Sequence, residues 1–216
     1  MAWSAENATR AFLRTVKMGK KAKEPDMSEF ISALAAGSNA QLMVEVCDGI
    51  ADATTLALVA AAQQTGGRVV CIRTGLDELH SSKQALGKEA NCVEFIMGDA
   101  QLLLLNDYLG ADFVLIDCNM VGHEEVLRAA QTGANCRGAV IMGYNALHKG
   151  ASWSGPRTEL LPIGDGLQVM RIPASGKASC SETRRSRWVV RVDQCTGEEH
   201  VFRITSPHGK ELEALD

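Results

Sequence analysis

The chain reads as an α/β protein built on a mostly parallel sheet with helices on both faces. Three observations predict this. Between Leu42 and Tyr144, five apolar stretches alternate with helix-like ones. The strands are apolar throughout rather than alternating with polar residues, as strands covered on both faces are. After residue 150 the rhythm changes to short paired strands about Gly164-Asp165-Gly166, the signature of an antiparallel hairpin. The bulk composition agrees: 216 residues, 46% hydrophobic and 22% charged, suit one large globular domain with a full core.

The first element is SAENATRAFLRTVKMG, with Ser4 as its cap and Ala8, Phe12, Leu13 and Val16 as its expected apolar face. KKAKEPD interrupts, and Pro25-Asp26 opens a second helix carrying Phe30, Ile31, Leu34 and Ala35. AQLMVEV is then a buried strand, and ADATTLALVAAAQQT an alanine-rich helix ended by Gly66-Gly67. RVVCIRT, CVEFIMGD, DFVLIDC and GAVIMGY are the next four strands. DELHSSKQALG, AQLLLLNDY and HEEVLRAAQTGA are the helices between them. TELLPIGDGLQVMRI supplies the hairpin, PASGKASCSETRRS a polar linker, and RWVVRVDQCTGEEHVFRI a second hairpin turning near Thr196-Gly197. Trp188, Val190 and Val192 share one face of it, which reads as core-facing.

Charge and cysteines exclude several classes. A net charge of −4 argues against general nucleic-acid binding. Arg10, Arg14, Lys17, Lys20, Lys21 and Lys23, and the cluster Arg184, Arg185 and Arg187, read as solvated surface. The seven cysteines include no C-x-x-C pair, so they read as reduced, buried thiols rather than a disulfide framework or zinc site. No apolar run reaches the roughly 18 residues of a membrane span, and the start of the chain shows no signal-type apolar region. The expectation is a cytosolic protein, with nuclear residence left open.

These strings resemble class I S-adenosylmethionine-dependent methyltransferases, and among them the small cation-dependent O-methyltransferases of catechol and caffeoyl-type substrates. The likeness spans residues 28 to 172. It is carried by MVEV, GGRVVCIRT, VEFIMGDA, ADFVLIDCN, AVIMGYN and, most specifically, LLPIGDGLQVMRI. With SRWVVRVDQCTGEEHVF at its tail, the whole chain resembles a plant family of uncharacterised proteins with a methyltransferase-like fold. The resemblance implies a Rossmann-like seven-stranded sheet of order 3-2-1-4-5-7-6, with N-terminal helices and an extra C-terminal β-hairpin. The expected organisation is one domain over 1–216: helices in 1–38, the core in 39–172, and linker and hairpin in 173–216.

The resemblance also implies where a cofactor would be held. The family pattern E-x-G-x-x-x-G falls on Glu45, Cys47 and Ala51, with Gly49 between them. A Cβ therefore stands at both positions where glycine lets the backbone approach the ligand. The carboxylate that takes both ribose hydroxyls is replaced by Arg73, and a guanidinium has no acceptor. Arg73 could face a phosphate, as in NADP-binding folds; the plainer expectation is an ion pair with Asp77 or Glu78. Asp99 matches an adenine-contacting position and reads equally well as a helix cap. Asp117 matches the first metal ligand, but Asn145 stands alone where an Asp-Asn pair would follow. That is a weak set for a hard divalent cation, and no metal is expected.

His148, beside Lys149, is a candidate proton acceptor on the edge where parallel sheets bind ligands. His123 lies near the same edge, and Asn119 is a further candidate beside Asp117. Trp3, Phe12, Tyr144 and Trp153 are candidate pocket walls, with packing as the plainer reading. Met97, Met120 and Met142 read as space-filling.

Two functions follow. One is S-adenosylmethionine-dependent O-methylation of a small hydroxylated molecule, with Asp117 and His148 catalytic. Glu45, Cys47, Gly49, Ala51, Arg73, Asp99 and Asp117 then surround S-adenosyl-L-methionine, without a divalent metal. The alternative is a catalytically inactive binding or regulatory protein on the same fold. The expected partner is a small-molecule acceptor or another protein, with homo-oligomerisation open and no membrane.

Overall fold

The structure is a computed structural model. It describes residues 3–18, 27–147, 153 and 158–174, together with the backbone of 185–192 and 199–206. The chain divides into two compact units, Met1–Ser175 and Gly176–Asp216. This division falls close to the boundary expected at 172/173, where the sequence reading kept linker and hairpin within one domain.

In the first unit, α1 (Ala5–Met18) and α2 (Met27–Gly37) precede the alternating core. The core runs β1 (Leu42–Val46), α3 (Ala53–Thr65), β2 (Arg68–Arg73), α4 (Leu76–Leu86) and a short 3-10 turn (Gly87–Cys92). It continues with β3 (Val93–Met97), α5 (Ala100–Leu105), β4 (Phe113–Asp117), α6 (His123–Gly133) and β5 (Ala139–Tyr144). The hairpin β6 (Thr158–Leu161) and β7 (Leu167–Ile172) completes it. The strands form one seven-stranded sheet of order β3-β2-β1-β4-β5-β7-β6, parallel through β5 and antiparallel at β7 and β6. This is the expected fold. The second unit contains β8 (Arg185–Val192) and β9 (Glu199–Ser206), an antiparallel pair in a sheet of their own. Its turn, and the facing of Trp188, Val190 and Val192, lie outside the described residues.

Strand side chains alternate between faces, and the core divides accordingly. Met43, Cys71, Leu115 and Met142 pack under α2 and α3, with Ile31, Leu34, Ala57 and Leu58. Val44, Ile72, Ile116 and Ile141 face the other way, toward Leu104 of α5 and Val126 and Leu127 of α6. Glu45, Cys47, Arg73 and Asp117 share the parity of the first set. Their register therefore brings them to one face at the C-terminal edge of the sheet.

Helix α1 departs from its expected face. Ser4 does receive Asn7 N–H at 3.3 Å, but the buried stripe is Ala8, Ala11 and Thr15, while Leu13 and Val16 are exposed. At 100° per residue, Val16 and Leu13 lie roughly 80° and 140° round from Ala8. The helix packs closely through its small residues rather than its large ones. Of the described cysteines, Cys47, Cys71 and Cys118 are buried as expected, whereas Cys92 and Cys136 are exposed.

The turn between α3 and β2 is as tight as its two glycines imply. A Cβ on Gly67 would stand 2.6 Å from the Ala40 carbonyl oxygen and 2.8 Å from that of Gln41. Backbone cannot yield cheaply there. Gly67→Ala is expected to lower unfolding free energy by about 1–3 kcal/mol. Urea denaturation checks this, and an unchanged midpoint would contradict the packing described.

Candidate functional site

The loops after the parallel strands converge at the C-terminal edge of the sheet, where open α/β sheets bind ligands. Glu45 and Arg73 lie there with fully buried side chains, and Arg73 Nη2 donates to Glu45 Oε2 at 3.2 Å. Arg73 Nη1 donates to Cys47 Sγ at 2.7 Å. The ion-pair partner is thus Glu45, and not Asp77 or Glu78 as the sequence suggests. Parity decides it: Arg73 follows the last β1–β2 pair, Val46 with Ile72, and faces the same way as Glu45, whereas Asp77 and Glu78 lie beyond the strand.

Glu45 is held by four donors, three of them on Oε2. The Thr54 and Thr55 hydroxyls each donate to it at 2.6 Å, one to each oxygen, and the Cys71 thiol donates at 3.1 Å. Burial, the largest single effect, disfavours the charged guanidinium, yet Glu45 together with Cys47, Cys71 and Tyr144 raises the Arg73 pKa above its ordinary value. Arg73 Nε is buried without a hydrogen-bond partner. Sequence reasoning misses Thr54 and Thr55 altogether. They look like ordinary early-helix residues, and only their placement one after the other beneath β1 shows their use.

Around this pair the thiols and the phenol are neutral. Burial, then Glu45, pushes the Cys47 thiol up to about 12, with Arg73 opposing. Cys71 is raised well above its ordinary value by the same two causes. Burial, then Asp117, pushes Cys118 up to about 12. Burial, followed by Glu45, raises the Tyr144 hydroxyl strongly.

The turn between β1 and α3 is held from outside. Ala51 N–H donates to Ser82 Oγ at 2.8 Å, and the Ser82 hydroxyl donates to the Glu78 carbonyl at 2.6 Å. Asp52 caps α3 through Thr54 N–H at 3.1 Å. Cys47 and Ala51 are buried, whereas Gly49 is exposed with nothing within 4 Å of where a Cβ would be. The one glycine of this turn is therefore not required for close approach of its own chain.

The remaining candidates scatter along the same edge. Asp99 caps α5, accepting from Gln101 N–H at 2.8 Å and Leu102 N–H at 3.4 Å. Asp117 Oδ1 accepts from Asn145 Nδ2 at 2.8 Å and from Asn119 N–H at 2.9 Å, so this pair is brought together. Asn145 adopts φ 60°, the left-handed region that asparagine tolerates. His123 has Nδ1 at 3.2 Å from the Met120 carbonyl and a buried, unpartnered Nε2. His148 and Lys149 lie outside the described residues. Tyr144 and Trp153 are buried, and Met97 is exposed rather than space-filling. Trp3 is not at this edge but beside Ser38 and Arg137, at the opposite end of the strands. Among the described residues, no three His, Cys, Asp or Glu side chains converge as a metal site would require.

The fold and this edge define a class: the chain has the seven-stranded architecture of class I methyltransferases. The structural likeness covers a caffeoyl-CoA O-methyltransferase candidate from Staphylococcus aureus at TM-score 0.55 and 17% identity, over 79% of this chain and 93% of that one. It extends to the S-adenosylhomocysteine-bound methyltransferase PaMTH1 of Podospora anserina, at 0.54 and 16%, over 78% and 88%. An O-methyltransferase from Bacillus cereus in complex with the same ligand matches at 0.51 and 16%, over 78% and 91%. The chain itself belongs to the family described as "Protein of unknown function (DUF1442)", whose model matches residues 1–204. No protein of curated function matches the sequence.

Set against an adenosyl cofactor, the residues do not fit the grip that the resemblance implies. The carboxylate of β1 is engaged by Thr54, Thr55, Cys71 and Arg73, and Arg73, at the position the resemblance assigns to the ribose acceptor, is a donor.

Three outcomes are expected. Arg73→Met leaves Glu45 buried and unpaired and should cost about 3–5 kcal/mol of stability. Adding Glu45→Gln, which removes the unpaired charge and keeps an acceptor for one threonine while its amide N–H can donate to the other hydroxyl, should recover most of that loss; strictly additive losses in urea denaturation would show the two are uncoupled. With native protein, iodoacetamide should label Cys92 and Cys136 while Cys47, Cys71 and Cys118 stay protected, as peptide mass spectrometry will show. Because the fold raises the pKa of Cys47 and Cys118 from 9.0 to about 12, their contribution to stability is complete below pH 9 and lost as pH rises toward 12.

Proposed function

We propose that this protein is a non-catalytic member of the methyltransferase fold, serving as a binding or regulatory module. One observation carries the reading: the buried Arg73–Glu45 ion pair, closed by Thr54, Thr55 and Cys47. The two positions that hold the adenosyl ligand in the resembling enzymes hold each other here. Opening the pair for a ligand means separating two desolvated charges, and breaking a buried pair costs several kcal/mol. A cofactor's binding energy would be largely consumed by that cost.

A second reading has its own support. Asp117 and Asn145 form a polar pair at the ligand edge, and solved proteins of this fold include complexes with S-adenosylhomocysteine and S-adenosylmethionine. On that reading the chain methylates a small hydroxylated molecule and Arg73 turns away when S-adenosylmethionine enters. Asp117 and His148 are then the candidates for orienting and deprotonating the acceptor. Its compartment, on either reading, is proposed to be the cytosol; among the described residues no helix is long and apolar enough to cross a membrane.

Calorimetric titration with S-adenosylhomocysteine and S-adenosylmethionine separates the two. The first reading expects no heat up to about 1 mM, a binding free energy weaker than about −4 kcal/mol. Micromolar binding that is abolished by Asp99→Ala would overturn it and restore the transferase reading.

A further inference from the structure

The opposite, N-terminal edge of the sheet carries a feature that the adenosyl site does not involve. Two adjoining hollows of about 330 Å³ and 350 Å³ open there, sharing Ser38, Arg137 and Gly138 in their walls. The first is completed by Asn39, Asp112 and Asn135, the second by Trp3, Arg171 and Ile172. Each has the size of a small-ligand site.

Three properties make this more than a surface dent. First, its cations are uncommitted. Arg137 and Arg171 are exposed, and among the described residues neither forms an ion pair. Asp112, which feels the charge of Arg137, is itself nearly buried and accepts from Gln41 N–H and Leu42 N–H at 3.0 Å. Second, the turn presenting Arg137 is braced. Asn135 Oδ1 accepts from Arg137 N–H at 2.9 Å, its Nδ2 donates to the Gly110 carbonyl at 3.1 Å, and its carbonyl accepts from Gly138 N–H at 2.9 Å. Third, the walls are kept clear. Gly138 has φ 104°, and a Cβ on it would stand 3.1 Å from the Ile172 carbonyl oxygen.

Trp3 adds an aromatic surface. Its indole lies directly on Gly37, so closely that a Cβ there would overlap the ring at 2.2 Å. Yet the residue remains 58% exposed. A large aromatic side chain seated on backbone and still more than half open to water offers aromatic surface against which a planar ligand can stack. Guanidinium groups recognise phosphate through paired N–H donors, at far better geometry than scattered lysines. An indole beside two free arginines over a braced turn therefore selects a ligand with both a planar ring and an anionic group.

We propose that the groove formed by Trp3, Ser38, Arg137 and Arg171 binds a planar aromatic ring bearing a phosphate, of the nucleoside monophosphate class. This goes beyond the function proposed above and does not rest on it, because the groove lies at the other end of the strands from Glu45 and Arg73.

The full-length protein is titrated with adenosine 5′-monophosphate, followed by calorimetry and tryptophan fluorescence, with adenosine and inorganic phosphate as separate arms. Binding tighter than about 1 mM is expected for the nucleotide, with each half alone weaker by about tenfold or more. Arg137→Ala and Arg171→Ala should each weaken it by about tenfold, and Trp3→Phe should remove most of the fluorescence change while retaining binding. All three positions are exposed, so unchanged thermal midpoints confirm that the variants fold. Absence of binding at millimolar nucleotide would overturn the proposal. So would binding unaffected by the double arginine variant, which would place the nucleotide elsewhere, or phosphate binding as tightly as the nucleotide, which would remove the aromatic half.

Discussion

A guanidinium and a carboxylate withdrawn together from water lose several kcal/mol of hydration apiece, and are tolerated only when nearly every donor and acceptor is met. Arg73 and Glu45 meet that condition across the β1–β2 boundary, with two threonine hydroxyls, two thiols and a phenol arranged about them. The surrounding groups follow from the pair. Thr54 and Thr55 must sit in the first turn of α3 to reach both carboxylate oxygens, and the Cys47 sulfur serves as an acceptor where glycine offers none. Raised thiol pKa values keep Cys47 and Cys71 neutral beside a carboxylate.

The consequence reaches the ligand edge. The resemblance implies a close backbone approach at the end of β1 and a carboxylate at the end of β2. In this chain Glu45 and Arg73, near those two ends, are bonded to each other. Ser82 fastens the same turn from α4 through Ala51 N–H, so the loop is held at both its inner and outer sides. Among the described residues, Asp99, engaged as a helix cap, is exposed along the edge and the Asp117–Asn145 pair is half-buried. The seven-stranded frame is preserved, while Glu45 and Arg73 at its C-terminal edge are bonded to each other; fold alone does not fix what such an edge does.

The fold was legible because it rests on periodicity. Unbroken apolar strands, helices ended by glycine, and the Gly164–Gly166 hairpin each state a local preference that the sheet then satisfies. The α1 face was not legible, since Leu13 and Val16 are larger than Ala11 and Thr15 but lie off the stripe that meets α2 and α3. The site was legible in part. Glu45, Cys47, Ala51 and Arg73 stand out by type and position, yet the partner of Arg73 was read from nearness along the chain. Strand pairing sets Glu45 opposite Cys71 in the register, bringing residues 28 positions apart within 3.2 Å, and no local pattern encodes that.

The amino-acid sequence by itself determined the class of architecture, the order of its elements and the presence of an arginine at the end of the second strand, because each depends on residue type and spacing alone. Only the tertiary structure decided that Arg73 turns inward, that Thr54 and Thr55 complete Glu45, and that Trp3 stands with Arg137 and Arg171. Those are long-range contacts. They are selected by the desolvation cost of leaving a buried charge unpaired and by the close packing of small residues, and both act only once the sheet has brought distant segments together.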